Sequence, residues 1–310
     1  MNKYRALSLL VLVAFCWGLN WPVGKLLLQD IPPLWIVFLR SAVGTVALLV
    51  VCFACRRLVV PKREDLPVVL SVGLLHMTAF SAFVSLGLQY VTAGRSVVLA
   101  YTTPIWVIPA AYLLLGERLS RPRAVGSFLG LVGLLVLFNP GDFSWADIDS
   151  IYGNGLILIA ALFWAASILY IRIHKWVTPP FELTFWQALV ATFVLFPIAV
   201  YFEGVPSITF NLRVVLLLLY GGVFGIAVAY WAMTTVNRAI PSAATSVGLL
   251  LVPIFGIACS WILLYETPDL ALIISAVLII SGALLGILSR GSDKNTSDST
   301  SLESRPEPKD

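Results

Sequence analysis

The stretch Ala93-Gly94-Arg95-Ser96, followed by Pro104 and by Leu115-Gly116-Glu117, returns 149 positions later as Ser242-Ala243-Ala244-Thr245, Pro253 and Leu264-Tyr265-Glu266. At an offset of 147, Trp17 falls on Trp164 and Pro32-Pro33 on Pro179-Pro180. The chain is a tandem of two related halves. Their solvent follows from composition: hydrophobic residues make up 59% of the 310 and charged residues 12%, with a mean hydropathy of +0.94. In water such a chain would leave many apolar residues exposed. In lipid that problem disappears.

A span needs about 20 apolar residues. Ten segments fit, at roughly 6–28, 34–54, 67–88, 92–115, 122–138, 152–173, 183–202, 212–235, 242–264 and 269–288. Turn residues mark most joints: Asp30 to Pro33, Asn139-Pro140-Gly141, Thr178 to Pro180, Glu203 to Pro206 and Thr267-Pro268. Five spans per half is an odd number, so the second copy lies upside down relative to the first. The expected fold is an all-α integral membrane protein of ten transmembrane helices, built as two inverted five-helix repeats over 5–138 and 152–288. Residues 290–310 are mostly Ser, Thr, Asp, Glu, Lys and Pro with one Leu and read as a disordered tail. Lys3 and Arg5 before Ala6 to Phe15 imitate a signal peptide. The apolar run continues to Leu28 with no small-x-small cleavage site, which reads as an uncleaved first helix.

Orientation follows from Lys and Arg. With the N-terminus inside, sixteen of the 20 basic residues collect on the inner side, leaving Lys25, Arg40, Arg95 and Arg213. Both termini are then cytoplasmic, in a cell (plasma or inner) membrane, and the 139–151 loop is outside. The net charge of +4 reflects this topology and gives no reason to invoke nucleic acid.

Inverted repeats are the usual plan of secondary transporters, because mirrored halves supply mirrored states open to opposite sides. Pro104 lies 12 residues into its span, at ~1.5 Å per residue roughly 18 Å deep, and Pro253 sits comparably. Each deprives the carbonyl four residues earlier, Ala100 or Leu249, of its hydrogen bond. A packing kink and a cavity-lining bend both account for them. Trp17, His76, Tyr101 and Trp164 fall near the midplane, with Asn20 and Arg40 nearer the outer side and Tyr230 nearer the inner. Ionisable groups at such depth are costly and point to function. Arg40 either snorkels outward or faces a cavity, and Lys25 is near enough to its helix end to snorkel. His76 reads as a hydrogen-bonded core residue or a proton carrier. Gln187 stands at the repeat position of Arg40, so the halves contribute unequally.

No Asp or Glu lies in the middle of a span, which weakens proton coupling and leaves a uniporter at least as well supported. Glu117 and Glu266 stand at helix ends, where they read as anchors or caps. Cys52-x-x-Cys55 has no second pair and reads as inert. No cofactor or metal motif is present. Gly126-x-x-x-Gly130 and Gly282-x-x-x-Gly286 allow close helix approach within the bundle or at a dimer face, so monomer and homodimer both stand.

Trp17-Gly18-Leu19-Asn20 with Lys25, Leu39-Arg40, Thr103-Pro104 before Leu114-Leu115-Gly116-Glu117-Arg118, Asn237-Arg238-Ala239, and Leu251-Val252-Pro253 leading to Glu266 are the carrying motifs. Together, over about residues 5 to 290, they resemble the EamA-like family of the drug/metabolite transporter superfamily. The resemblance implies a ten-helix basket around a cavity walled mainly by helices 1, 3, 4, 6, 8 and 9. It also implies export of small metabolites, often amino acids, and the mirrored halves read as a secondary, non-ATP carrier that works by alternating access. Tyr265 departs from it, standing where many members have glycine. The candidate substrate path is Trp17, Asn20, Arg40, His76, Tyr101, Pro104, Trp164, Tyr230 and Pro253. A facilitative channel and a proton-coupled exporter of drugs or other metabolites remain as alternatives. An enzyme is not expected, since no G-x-S-x-G, H-E-x-x-H or Walker A pattern occurs.

Overall fold

The computed structural model describes residues 3–116, 120–138, 147–237, 239–240 and 242–285. The tail expected at 290–310, Glu117 and most of the 139–151 loop lie outside the described residues. Among the described residues the regular structure is entirely helical. In chain order the helices are α1 (Tyr4–Leu27), α2 (Pro33–Ala54), α3 (Arg63–Gly87), α4 (Ala93–Leu115), α5 (Arg121–Leu137), α6 (Ile148–Ile173), α7 (Pro180–Glu203), α8 (Leu212–Val236), α9 (Ala244–Leu264) and α10 (Leu270–Leu285). Eight of them are long and apolar enough to cross a membrane. The exceptions are α10, whose described part ends at Leu285, and α5, whose 17 residues reach only ~26 Å.

Helix starts follow local chemistry. Pro33 and Pro180 occupy the first turns of α2 and α7, where the missing N–H costs nothing. Asn211 accepts from Val214 N at 2.9 Å to open α8, and Asp269 accepts from Leu272 N at 2.6 Å to open α10. At the start of α4, Gly94 N donates to the Glu266 carboxylate at 3.2 Å, so a residue at the end of α9 caps α4.

Packing exchanges partners between the halves. α1 packs on α8 and α9, while its counterpart α6 packs on α3 and α4. The counterparts α2 and α7 pair extensively with each other. Hydroxyls of Ser41 and Thr45 each lie 2.9 Å from that of Thr192 in the middle of this pair. At one end Glu203 accepts from Leu34 N at 2.9 Å, and Trp35 Nε1 donates to Gly204 O at 2.8 Å. At the other, Arg57 meets Glu182 at 3.0 Å and Trp186 Nε1 donates to Val59 O at 2.8 Å. α5 and α10 meet through glycine: a Cβ on Gly282 would collide with the backbone of Gly126 and Gly130. These glycines thus serve contact inside the chain.

The helices around the bundle centre are irregular at matching places. α3 widens into a π-helix over Val72–Phe80 and α8 does so over Tyr220–Val228, 148 positions apart. α4 breaks at Tyr101-Thr102 and α9 at Leu250, just before Pro104 and Pro253. One expectation is corrected here. The Ala100 carbonyl that Pro104 deprives of an amide donor accepts instead from Thr103 Oγ1, at 2.7 Å. A threonine beside the proline is short enough to fold back onto its own turn.

Candidate functional site

α1, α2, α3, α4, α6 and α8 enclose a cavity of about 190 Å³, with Ala188 of α7 and Val252 of α9 touching its wall. It reaches from mid-bundle toward the end where α1 finishes and α2 begins, because its α1 residues run from Trp17 to Gly24 and its α3 residues from His76 to Ser85, with Leu88 just past the helix end. Seven candidates from the sequence converge on it: Trp17, Asn20, Arg40, His76, Tyr101, Trp164 and Tyr230. Pro104 and Pro253 do not. Pro104 borders a separate crevice beside Gly126 and Gly130, and Pro253 is buried next to the lining residue Val252.

The deep end of the cavity is aromatic and draws on both halves. Trp17 meets Tyr230 edge-on at 5.9 Å, and its indole Nε1 donates to Gly225 O at 3.2 Å. Trp164 meets Tyr101 edge-on at 5.5 Å and stacks on His76 at 5.6 Å with an interplanar angle of 8°. Phe80 leans on the same indole at 5.2 Å. The two tryptophans that the repeat superposes therefore each hold a tyrosine of a neighbouring helix. Edge-to-face pairs of this kind add about 0.5–1.5 kcal/mol beyond area burial and fix ring orientation.

Polar groups sit on the flank formed by α1, α2 and α8. The Arg40 stem lies against Gly221, where an added Cβ would stand 2.5 Å from its Nε. Four residues on, a Cβ at Gly225 would stand 2.8 Å from the Asn20 amide nitrogen. Both glycines belong to the π-helical stretch of α8, so the absence of side chains there makes room for the two polar ones. Arg40 Nε and Asn20 Oδ1 are buried without a hydrogen-bond partner. A cationic side chain within a span costs about 2.5–3.5 kcal/mol on insertion scales, so an unpaired one marks a place where something else supplies the partner. No Asp or Glu lines this cavity among the described residues.

Lys25 takes a third course, neither reaching for solvent nor entering the cavity. Its Nζ donates to Leu88 O at 2.5 Å, Val91 O at 2.9 Å and Gln89 O at 3.3 Å, closing the carbonyl end of α3. The sequence reading did not pick out Gly221 and Gly225, although their small-x-x-x-small spacing is visible in it. It also passed over Trp21, Phe80 and the serines Ser81 and Ser85 of the cavity wall. Ser81 and Ser85 carry no charge, and Trp21 and Phe80, though aromatic, are two of many rings in these spans.

Comparison with known proteins places these features in company. The model of the EamA-like transporter family matches twice, at residues 4–139 and 151–288. An "Uncharacterized transporter YoaV" from Bacillus subtilis (strain 168) is 26% identical over 276 residues, covering 89% of this chain and 94% of that protein. A "Probable amino-acid metabolite efflux pump" of Escherichia coli (strain K12) is 26% identical over 295 residues, covering 92% and 95%. A solved protein crystal structure superposes with a TM-score of 0.63 at 20% identity, over 93% of this chain and 98% of that one.

Proposed function

The chain belongs to the EamA-like transporter family, and from that premise we propose that it exports small metabolites such as amino acids across a plasma or inner membrane by alternating access. The observation that carries this reading is the convergence of Trp17, Asn20, Arg40, His76 and Tyr101 of the first half with Trp164 and Tyr230 of the second on one mid-bundle cavity. A site shared by both repeats can face either side as the halves exchange conformations. The printed name of the Escherichia coli relative, an amino-acid metabolite efflux pump, favours the same cargo class. In this reading ten helices span the bilayer, both termini are cytoplasmic and the cavity opens outward.

The mechanism asks three things of these residues. The aromatic layer of Trp17, Tyr230, Tyr101 and Trp164 closes the inner side while the outer side is open. The polar flank holds the substrate at the level of Asn20 and Arg40. The π-helical stretches of α3 and α8 and the breaks of α4 and α9 supply backbone that can rearrange without dismantling whole helices. Reconstituted protein should show saturable uptake and counterflow, with Ala at Trp17, Asn20, Arg40, Tyr101 or Trp164 lowering it in folded protein. Flux that rises linearly with concentration and shows no counterflow would mean a pore. Ordinary transport by every variant would remove the site.

A further inference from the structure

We infer that the cargo of this cavity carries a carboxylate and that Arg40 seats it, an inference that rests on the carrier reading and narrows its substrate to organic acids, free amino acids among them. Arg40 stands seven residues into α2, at the cavity wall, with a buried Nε that has no partner. Charged groups elsewhere in the bundle are answered: Arg57 by Glu182 at 3.0 Å, Asp65 by the Val177 and Thr178 amides at 3.2 and 2.8 Å, Lys25 by three carbonyls. Among the described residues nothing of that kind faces Arg40: its neighbour Tyr220 donates its hydroxyl to Cys16 O at 3.1 Å. With no Asp or Glu among the described residues around the cavity, its field favours an anion and opposes an organic cation.

The geometry argues for a carboxylate in particular. A guanidinium presents a planar fork that matches the two oxygens of one carboxylate. The repeat position of Arg40 holds Gln187, which is neutral, so the site offers one such fork. A phosphate dianion would leave charge unmatched there. The groove that receives the Arg40 stem exists because position 221 is glycine, since a Cβ there would come within 2.9 Å of Arg40 Cδ. That contact holds the side chain across the bundle instead of letting it run outward along α2.

Asn20 extends the match. It packs on Gly225, one turn along α8 from Gly221, a spacing of about 5–6 Å on a helix surface. Its unpartnered Oδ1 is an acceptor within reach of an ammonium or hydroxyl on the carbon beside a seated carboxylate. Trp21, Phe80 and Trp164 then face the apolar remainder of the molecule.

The test uses purified protein with six probes: L-leucine, 4-methylpentanoate, isoamylamine, L-phenylalanine, 3-phenylpropanoate and phenethylamine. Thermal unfolding in detergent is measured for the native protein and for Arg40→Lys and Arg40→Gln, with monodispersity checked by size exclusion. At least one carboxylate-bearing probe should raise the unfolding temperature, while both amines should not. Arg40→Gln should raise the concentration needed by roughly 10- to 100-fold, as expected for loss of a charge-assisted hydrogen bond, with Arg40→Lys falling between. Stabilisation by an amine, equal carboxylate binding in Arg40→Gln, or no shift with any probe would overturn the assignment. Radiolabelled exchange in proteoliposomes separates the two levels. Saturable exchange of an amine leaves the carrier and removes the carboxylate site, whereas no saturable exchange of any probe removes both.

Discussion

Gly116 and Tyr265 hold the same left-handed backbone conformation, at φ 65° and 56°, each closing the C-terminus of one of the broken helices α4 and α9. They are repeat equivalents, 149 positions apart. The fold needs a left-handed residue at both places, and only the first half has the residue that adopts it freely. The side chain at 265 is 86% exposed, so little packing offsets the strain. Tyr265→Gly should stabilise the protein by about 1 kcal/mol, and Gly116→Ala should destabilise it by a similar amount. Thermal unfolding of both variants in one detergent checks this. A lower unfolding temperature for Tyr265→Gly would show that the ring contributes more than its backbone costs.

The ends of the α2–α7 pair make a second prediction, because they look alike and differ in energy. Glu203 receives the Leu34 and Trp35 amides in the first turn of α2, with distances of 2.9–3.2 Å. Arg57 and Glu182 form an ion pair at the other end, but the Arg57 side chain is 45% exposed. Capping by an ionised group contributes about 1–3 kcal/mol, while a pair so open to solvent contributes at most about 1. Glu203→Ala should therefore lower stability distinctly more than Arg57→Ala, as read by unfolding temperature in the same detergent. Equal losses would mean that the cap is not what fastens this end.

How far the sequence reveals this molecule depends on which residues announce themselves. Prolines and turn residues are visible because their backbone chemistry is unusual, so the helix starts at Pro33 and Pro180 and the breaks before Pro104 and Pro253 could be placed in advance. Polar and aromatic residues at mid-depth differ from the aliphatic bulk of a span, which is why seven cavity residues could be named. The π-helices could not, since Val72–Phe80 and Tyr220–Val228 have ordinary apolar composition and owe their geometry to what they pack against. Lys25 was misjudged for a related reason. Its partners are the Leu88, Gln89 and Val91 carbonyls, backbone groups that no residue letter marks.

Lys25 gives the third prediction. Since its ammonium ties α1 to the carbonyl end of α3 and lies off the cavity, Lys25→Met should destabilise the fold without altering substrate preference. The loss should be about 1–3 kcal/mol, because charge-assisted hydrogen bonds to partly buried carbonyls disappear together. The decisive measurement is uptake normalised to folded protein. An unchanged KM with reduced yield and unfolding temperature supports the capping role, and a raised KM at normal stability would put Lys25 in the substrate path instead.

The last prediction concerns the paired breaks of α4 and α9. Both occur where a proline follows a residue that has left the helical hydrogen-bond ladder, and both helices contribute to the cavity wall, through Tyr101 and Val252. If the inverted halves exchange conformations during transport, straightening one break should favour one state and straightening the other the opposite state. Pro104→Ala and Pro253→Ala restore an amide donor at each place. The two are not equivalent in strength, because Thr103 Oγ1 already serves the Ala100 carbonyl and competes with the restored amide. Pro253→Ala should therefore act more strongly, and Thr103→Val combined with Pro104→Ala should raise the first-half effect toward it. The readout is thiol labelling of Gln89→Cys at the mouth beside the end of α3 and Thr235→Cys toward the opposite end of the bundle, after replacing Cys16, Cys52, Cys55 and Cys259 by alanine. Opposite changes in labelling at the two mouths are expected for the two proline variants. The same change in both, or none in either, would leave the prolines as packing kinks and move the hinge to the π-helical stretches of α3 and α8.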